Sequence, residues 1–410
     1  MNKLKLLDLL ESWDAGAWGE SAIDQATAVS VLRSTNFLNS GELALKNQAL
    51  LDIPDVIYEK KKLFLNDILL ERSGGGEKQP VGRVAIFKEE GRFICGNFIS
   101  CLRVKKSVVE PEYLLLRLLN VHWSGQTEKF QTATTGIRNL QMKEYLNQEL
   151  VIPDIEEQCQ ITTKLKAQLA EVETARKALE LQQQEIVNLA NAYIRESIEQ
   201  SPVTETRLGE VLAEVKKGIG ETWADYPVLG ATRGGLAAAK TVGAGRARDL
   251  SHVEAQSRAR PAPTTTREPP GKQPQRYKPV FCGTVFYNPM RILIGSIAFV
   301  DDDDEPGITS PDYVALQGKA GLVDSRWFYY WLRSPYGEQC INSLARGAVR
   351  ERMLFNRLAE GSILLPPYQE QLRVSKALAT LKSVKSAMQE QLNELNKIPE
   401  RLLAKAFEQK

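Results

Sequence analysis

The sequence predicts an α+β protein. Two pseudo-repeated globular α/β domains are separated by two long helices that form an antiparallel coiled coil. Three observations predict this plan. The chain repeats itself at an offset of 213 residues. Each half opens with a mixed segment rich in glycine, β-branched and aromatic residues. Each half closes with a seven-residue apolar repeat.

The repeat is seen first in Val81-Gly82-Arg83-Val84-Ala85-Ile86-Phe87 and Ile294-Gly295-Ser296-Ile297-Ala298-Phe299-Val300. The same offset carries Val151-Ile152-Pro153-Asp154-Ile155-Glu156-Glu157-Gln158 onto Leu364-Leu365-Pro366-Pro367-Tyr368-Gln369-Glu370-Gln371. Domain bounds follow: 1–153 and 201–365 are globular, and 154–200 and 366–410 are helical spacers.

Within the globular segments, Gly91–Cys95 and Arg291–Gly295 read as short strands. Pro111–Leu119 and Ser325–Leu332 read as short helices, the first with proline where a missing N–H costs nothing. Helix one is expected from about Glu156 to Ile198, with Leu165, Val172, Leu179, Ile186 and Tyr193 on a seven-residue seam. Its companion seam positions read as polar, at Gln168 and Gln182. Helix two is expected from about Gln369 to Phe407, with Val374, Leu381, Met388, Leu395 and Leu402 on its seam, Lys385 at a companion position, and Pro399 interrupting it. At ~1.5 Å per residue, about 40 residues make a rod of roughly 60 Å. One seam per helix suits a pair.

The stretch 241–275 breaks the symmetry. It is rich in proline, arginine and threonine and poor in large apolar residues, so it reads as a flexible insertion in the second half.

Composition narrows the function. Lys plus Arg total 53 against 51 Asp plus Glu, a net charge of +2, which argues against a stand-alone electrostatic DNA binder. No apolar run approaches ~20 residues, and the N-terminus meets Asp8 before an apolar core forms, so a cytoplasmic location is expected. The five cysteines are scattered and the two histidines, His122 and His252, do not cluster with them. No zinc site or disulfide framework is expected.

Enzyme motifs fail on inspection. Pro54-Asp55 with Glu59-Lys60-Lys61 is too compact to share a metal between strands. Leu365-Pro366-Pro367-Tyr368 puts a leucine where an amino-methyltransferase needs a hydrogen-bonding side chain. Gly74-Gly75-Gly76 lacks the lysine of a phosphate loop, and Gly218-Ile219-Gly220 is a bare pair. Asp301–Glu305 reads as a solvated turn tip. The chain reads as a binder.

Two similar units on a stiff spacer suit two DNA half-sites, and because the units differ in sequence the half-sites should differ. Arginine forks match guanine edges and phosphates, and asparagine matches adenine. The candidate DNA-binding residues are Arg33, Asn36, Arg72, Lys78 and Arg138 in the first half, and Thr232, Arg233, Arg346, Arg350 and Arg352 in the second.

The sequence resembles the specificity subunit of Type I restriction–modification enzymes over essentially its whole length. The resemblance is carried by Ile152-Pro153 with Glu157-Gln158, and by Leu365–Gln371. Tyr226–Ala231, Phe286–Arg291 and Ser343–Arg350 add to it. It implies two target-recognition domains reading one split, asymmetric DNA sequence. It implies spacer helices that dock two modification subunits, for which Glu157, Gln158, Leu165, Val172, Leu179, Ile186, Glu370, Gln371, Leu381, Met388 and Leu395 are the candidate spacer and docking residues. S-adenosylmethionine is expected on those partners, ATP and magnesium on restriction subunits, and no cofactor, catalytic residue or metal in this chain. The altered stretch at 241–275 departs from the family pattern. The competing readings are a coiled-coil adaptor without DNA readout and a self-contained methyltransferase or nuclease.

Overall fold

A computed structural model describes residues 2–22, 24, 27–75, 80–134, 137–238, 269–345 and 352–408. The chain forms two compact units, one of residues 1–179 with 390–410 and one of 180–389. Most of the 241–275 stretch lies outside the described residues; its end forms a 3₁₀ turn at Pro274–Arg276.

The first unit contains β1 (Asn2–Lys5), β2 (Leu10–Ala15), β3 (Ile68–Glu71), β4 (Val84–Ile86), β5 (Ile99–Val104), α1 (Pro111–Trp123), β6 (Glu149–Ile152) and the start of α2 (Ile155–Glu199). The second contains the end of α2, then β7 (Thr204–Arg207), β8 (Leu212–Glu214), β9 (Thr284–Tyr287), β10 (Ile297–Val300), β11 (Val314–Gly318), α3 (Ser325–Arg333), β12 (Ser362–Leu365) and the start of α4 (Tyr368–Leu395). A last helix, α5 (Ile398–Glu408), returns to the first unit.

The duplication is structural. The central antiparallel sheets run β2-β5-β3-β4 and β8-β11-β9-β10, the same order in both units. In each unit the first strand pairs with the strand just before the long helix: Asn2 faces Ile152, and Thr204 faces Leu365. The matched segments seen in the sequence supply β4 and β10, the fourth strand of each sheet. Arg291–Gly295 is not a strand. It forms a 3₁₀ turn at Ile292–Ile294 that ends on Gly295 at φ +79°, and only β10 beyond it joins the sheet.

Each sheet packs on a short helix with an acidic N-cap. Glu110 accepts from the amides of Glu112 and Tyr113 to start α1, and Asp324 accepts from Trp327 to start α3. The long helix is then fastened to that cap by a buried glutamine. Gln158 Oε1 accepts from the Glu110 amide at 2.7 Å, and its Nε2 donates to the carbonyls of Pro153 and Val108. Gln371 does the same with the Asp324 amide at 2.9 Å and the carbonyls of Pro366 and Leu322. Both side chains are wholly buried. Their assignment to partner docking is therefore corrected: each is spent on its own domain and has no surface to present.

Each unit rests on the start of one long helix and the end of the other. Ile161, Leu165 and Leu169 join Leu402, Leu403 and Phe407 in the first core. Ala190, Ile194 and Ile198 join Val374, Leu378 and Leu381 in the second. Gln183 donates to Gln389 at 3.3 Å, while Arg373 lies within electrostatic reach of Tyr193 and Glu196, so α2 and α4 run antiparallel. Val172, Leu179, Ile186, Met388 and Leu395 are half-buried along the seam. Of the companion positions in helix one, Gln168 is half-buried as expected, and the departure is at Gln182. Leu169 and Gln183 turn inward, whereas Gln182 faces solvent. Helix two is two helices, broken at Asn396-Lys397. Pro399 cannot donate to the Leu395 carbonyl, and the interruption follows.

An ion network seats each sheet on its helices. In the first unit Glu112 holds Lys88 at 2.5 Å and Lys166 at 2.6 Å. In the second, Asp301 is buried and pairs with Arg326, which also holds Asp302 at 2.8 Å, while Lys382 pairs with Asp303 and Asp304. The acidic run is thus an anchor, correcting its reading as a solvated tip. Burial raises the Glu112 pKa, but hydrogen bonds from Lys166 and Lys88 outweigh it and leave the carboxyl below its ordinary value.

Two outcomes are expected. Gln158→Leu strands two carbonyls and an amide and should cost the first unit roughly 2–4 kcal/mol, read from urea unfolding; a loss under about 0.5 kcal/mol would remove the clamp's importance. Because the folded Glu112 pKa is depressed, its contribution is complete above the ordinary carboxylate range and lost as pH falls through the folded value. The gap in melting temperature between wild type and Glu112→Gln should therefore shrink from about pH 6 to about pH 3. A constant gap would contradict it.

Candidate nucleic-acid interface

Exposed arginines need rigid loops if they are to read a duplex. In the first unit the loop after Leu32 is tied by Asn36. Its Oδ1 accepts from the Arg33 amide at 2.9 Å, and its Nδ2 donates to the carbonyls of Ala44 and Lys46. Asn36 is 2% exposed. It is a loop tether with no free edge to offer a base, which corrects its place among the base readers. Arg33 stays half-exposed, donating to the Asn47 carbonyl at 2.6 Å.

Arg72 follows β3 and donates to the Asn97 carbonyl at 3.1 Å. Ser73–Gly75 then pairs with Ile137–Leu140, which places Arg138 opposite Gly75. Ser73 donates to Asn139 at 2.6 Å. One residue joins these pieces. Arg83 grips the buried Glu71 through two 2.8 Å bonds and also donates to the Ser34 carbonyl at 3.1 Å. The hydrogen bond that Arg83 donates to Glu71 holds the Arg83 pKa above its usual value despite burial. Arg83 thereby brings the Arg33 loop beside the end of β3, just before Arg72. Lys78 lies outside the described residues.

In the second unit Thr232-Arg233-Gly234-Gly235 forms a hairpin tip, closed by the Thr232 hydroxyl on the Gly235 carbonyl at 3.0 Å, with Gly235 at φ +111°. Thr232 and Arg233 are exposed. Arg333 reaches the Arg233 carbonyl at 2.7 Å and the carbonyls of Gly295 and Ile297, tying the tip to the loop before β10. On the other side of that loop, the Met353 amide donates to Pro289, which sets the exposed Arg352 beside it. Arg233 and Arg352 therefore flank one loop. Arg346 and Arg350 lie outside the described residues.

Sequence reasoning missed a third basic group. Lys216 and Lys217 lie beside the Pro274–Arg276 turn, because the Ile219 amide donates to Tyr277 at 2.8 Å and Gly218 fits against the Gln275 carbonyl. Lys216, Lys217, Lys272 and Arg276 are exposed. Burial lowers the pKa of the neighbouring Lys278, and the Lys216 charge adds to this against Glu214 and Asp312. The visible signal was Lys-Lys before Gly218; its partners lie across the 241–275 stretch.

The helical candidates divide. Glu370 pairs with Arg373 at 2.7 Å within its own helix, and that hydrogen bond lowers the Glu370 pKa. The Glu157 amide donates to Asp154, which caps α2. Leu165 is buried in the first core. His122 is packed, with its pKa lowered by burial; His252 lies outside the described residues. Among the described residues no group of histidine, cysteine and carboxylate side chains could hold a metal ion, and no helix is long and apolar enough to cross a membrane.

Residues 1–183 match the family model described as Type I restriction modification DNA specificity domain. Among solved structures, one from work on complex assembly and conformational transition of the type I R-M system covers 99% of this chain and 97% of its own. It has a TM-score of 0.61 at 16% identity. The S subunit of the Type-I restriction-modification system from M. genitalium and the HsdS subunit from Thermoanaerobacter tengcongensis each cover 99% of this chain and 96% of their own. Both are 16% identical, with TM-scores of 0.47 and 0.46. No curated protein matches the chain. The first 183 residues thus resemble a Type I restriction modification DNA specificity domain, and the chain along its length has the fold of a protein solved in a Type I restriction–modification system.

Proposed function

We propose that this chain is the DNA sequence-specificity subunit of a Type I restriction–modification complex, reading a bipartite, asymmetric target. The observation that carries the reading is the doubled unit, each copy presenting arginines near a half-buried arginine that ties neighbouring segments together: Arg33, Arg72 and Arg138 in the unit braced by Arg83, and Arg233 and Arg352 in the unit braced by Arg333. Guanidinium forks on rigid tips suit guanine edges and phosphates. The Lys216–Arg276 group suits the backbone alone.

In this reading the chain is non-catalytic. Two modification subunits dock on the helical spacer and bring S-adenosylmethionine. Restriction subunits bring ATP and magnesium. Sharing the duplex with these partners accounts for a recognition chain of net charge +2.

The test is adenine methylation across a host genome, with this chain co-expressed with its modification subunit and with the chain omitted. Methylation at one split motif, lost on omission, is expected. Arg233→Ala should relax one half-site only, with roughly 1–3 kcal/mol lost in binding if it reads a base. Unchanged methylation without the chain would leave the adaptor reading. Replacing Lys216 and Lys217 by alanine should weaken binding equally on all sequences and lower the salt slope by about one per lost phosphate contact. A sequence-dependent loss would make them base readers.

A further inference from the structure

We propose that a cavity in the first unit beside Arg117 binds a small oxyanion group, a carboxylate or a phosphate. The cavity is about 280 Å³ and is lined by Arg117, Asn120, Gln126, Lys129, Gln148 and Phe407. That size is small for a cofactor pocket and fits a small anion or one protruding side chain. The lining supplies two cations and three amides.

Arg117 makes the case. It lies on α1 with its guanidinium 4.7 Å from the centre of the Phe407 ring. Nη1 donates to the Phe407 carbonyl at 3.4 Å, at the carbonyl end of α5, and Nε is buried with no hydrogen-bond partner. Three other inward arginines hold a buried carboxylate: Arg83 has Glu71, Arg103 has Asp67 and Arg326 has Asp301. Among the described residues no carboxylate pairs with Arg117. Glu149 reaches the cavity wall but is exposed and makes no ion pair with it. A half-buried guanidinium without a counter-charge is costly, and burial lowers its pKa accordingly. An oxyanion would supply the missing charge, take the free Nε donor and reach Lys129 and the amides. The anion can be dissolved or can be an acidic side chain of a docking protein.

The test titrates the full chain with inorganic phosphate and with malonate at fixed ionic strength, with chloride as the reference, by calorimetry and thermal melting. Saturable binding that raises the melting temperature is expected, weakened at least tenfold by Arg117→Gln and by Lys129→Gln. In chloride, Arg117→Gln should melt no lower than wild type, since it removes an uncompensated charge, and this separates a lost site from a lost fold. Where dissolved anions do not bind, a tenfold loss of affinity for the modification subunit in Arg117→Gln identifies the oxyanion as a partner's side chain. Equal behaviour of wild type and Arg117→Gln in both arms overturns the proposal, whatever the outcome for DNA recognition.

Discussion

One amide side chain, used twice, sets the geometry on which the rest depends. Gln158 and Gln371 each sit in the first turn of a long helix and hydrogen-bond the backbone N–H of the residue that caps the short helix of the adjoining domain. A glutamine is suited to this because it both accepts and donates. One oxygen satisfies the cap's orphan amide while the nitrogen holds two carbonyls of the entering chain. Three bonds in a dry site leave few ways to rotate the domain on its helix. The acid networks around Glu112 and Asp301 then seat the next element, the turn after the fourth strand, on the same junction. They do so with opposite signs, since the helix start offers an acid in one unit and an arginine in the other.

The arginines divide into two populations by what lies beneath them. Arg83 and Arg333 are spent on carbonyls and carboxylates and act as struts. Arg33 and Arg233 stand on loops that those struts hold, and Arg72, Arg138 and Arg352 lie on neighbouring segments. A side chain with five donors can be either, and only burial and partners decide. The modest net charge is therefore a poor guide to local cationic surface, because internal pairs consume both signs.

Much of the fold was legible because it rests on periodicity and repetition. The offset located the fourth strand of each sheet, and the heptads located α2, α4 and the seam through Leu165, Val172 and Ile186. The errors share a cause, which is that a sequence does not state what lies on the other side of a residue. Asp301 looked solvated until Arg326 arrived from the following helix. Asn36 looked like a reader until the loop folded over it. Arg291–Gly295 has strand composition, yet Gly295 takes a positive φ and the segment becomes a turn with Leu293 and Ile294 exposed. The glutamines were noticed as a repeated motif, but their burial was invisible. The companion seam departed at Gln182 because Gln182 and Gln183 are identical neighbours, and three- or four-residue steps both satisfy a heptad.

The pairing of each domain's first strand with its last, Asn2 to Ile152 and Thr204 to Leu365, brings the entry and exit of each domain to adjacent positions on a four-residue ribbon. Such a domain is a cassette. Recombination within the ribbon would exchange the whole globular domain while the helix, its glutamine and its seam stayed as they were. The same closeness of ends makes circular permutation at the ribbon a small perturbation.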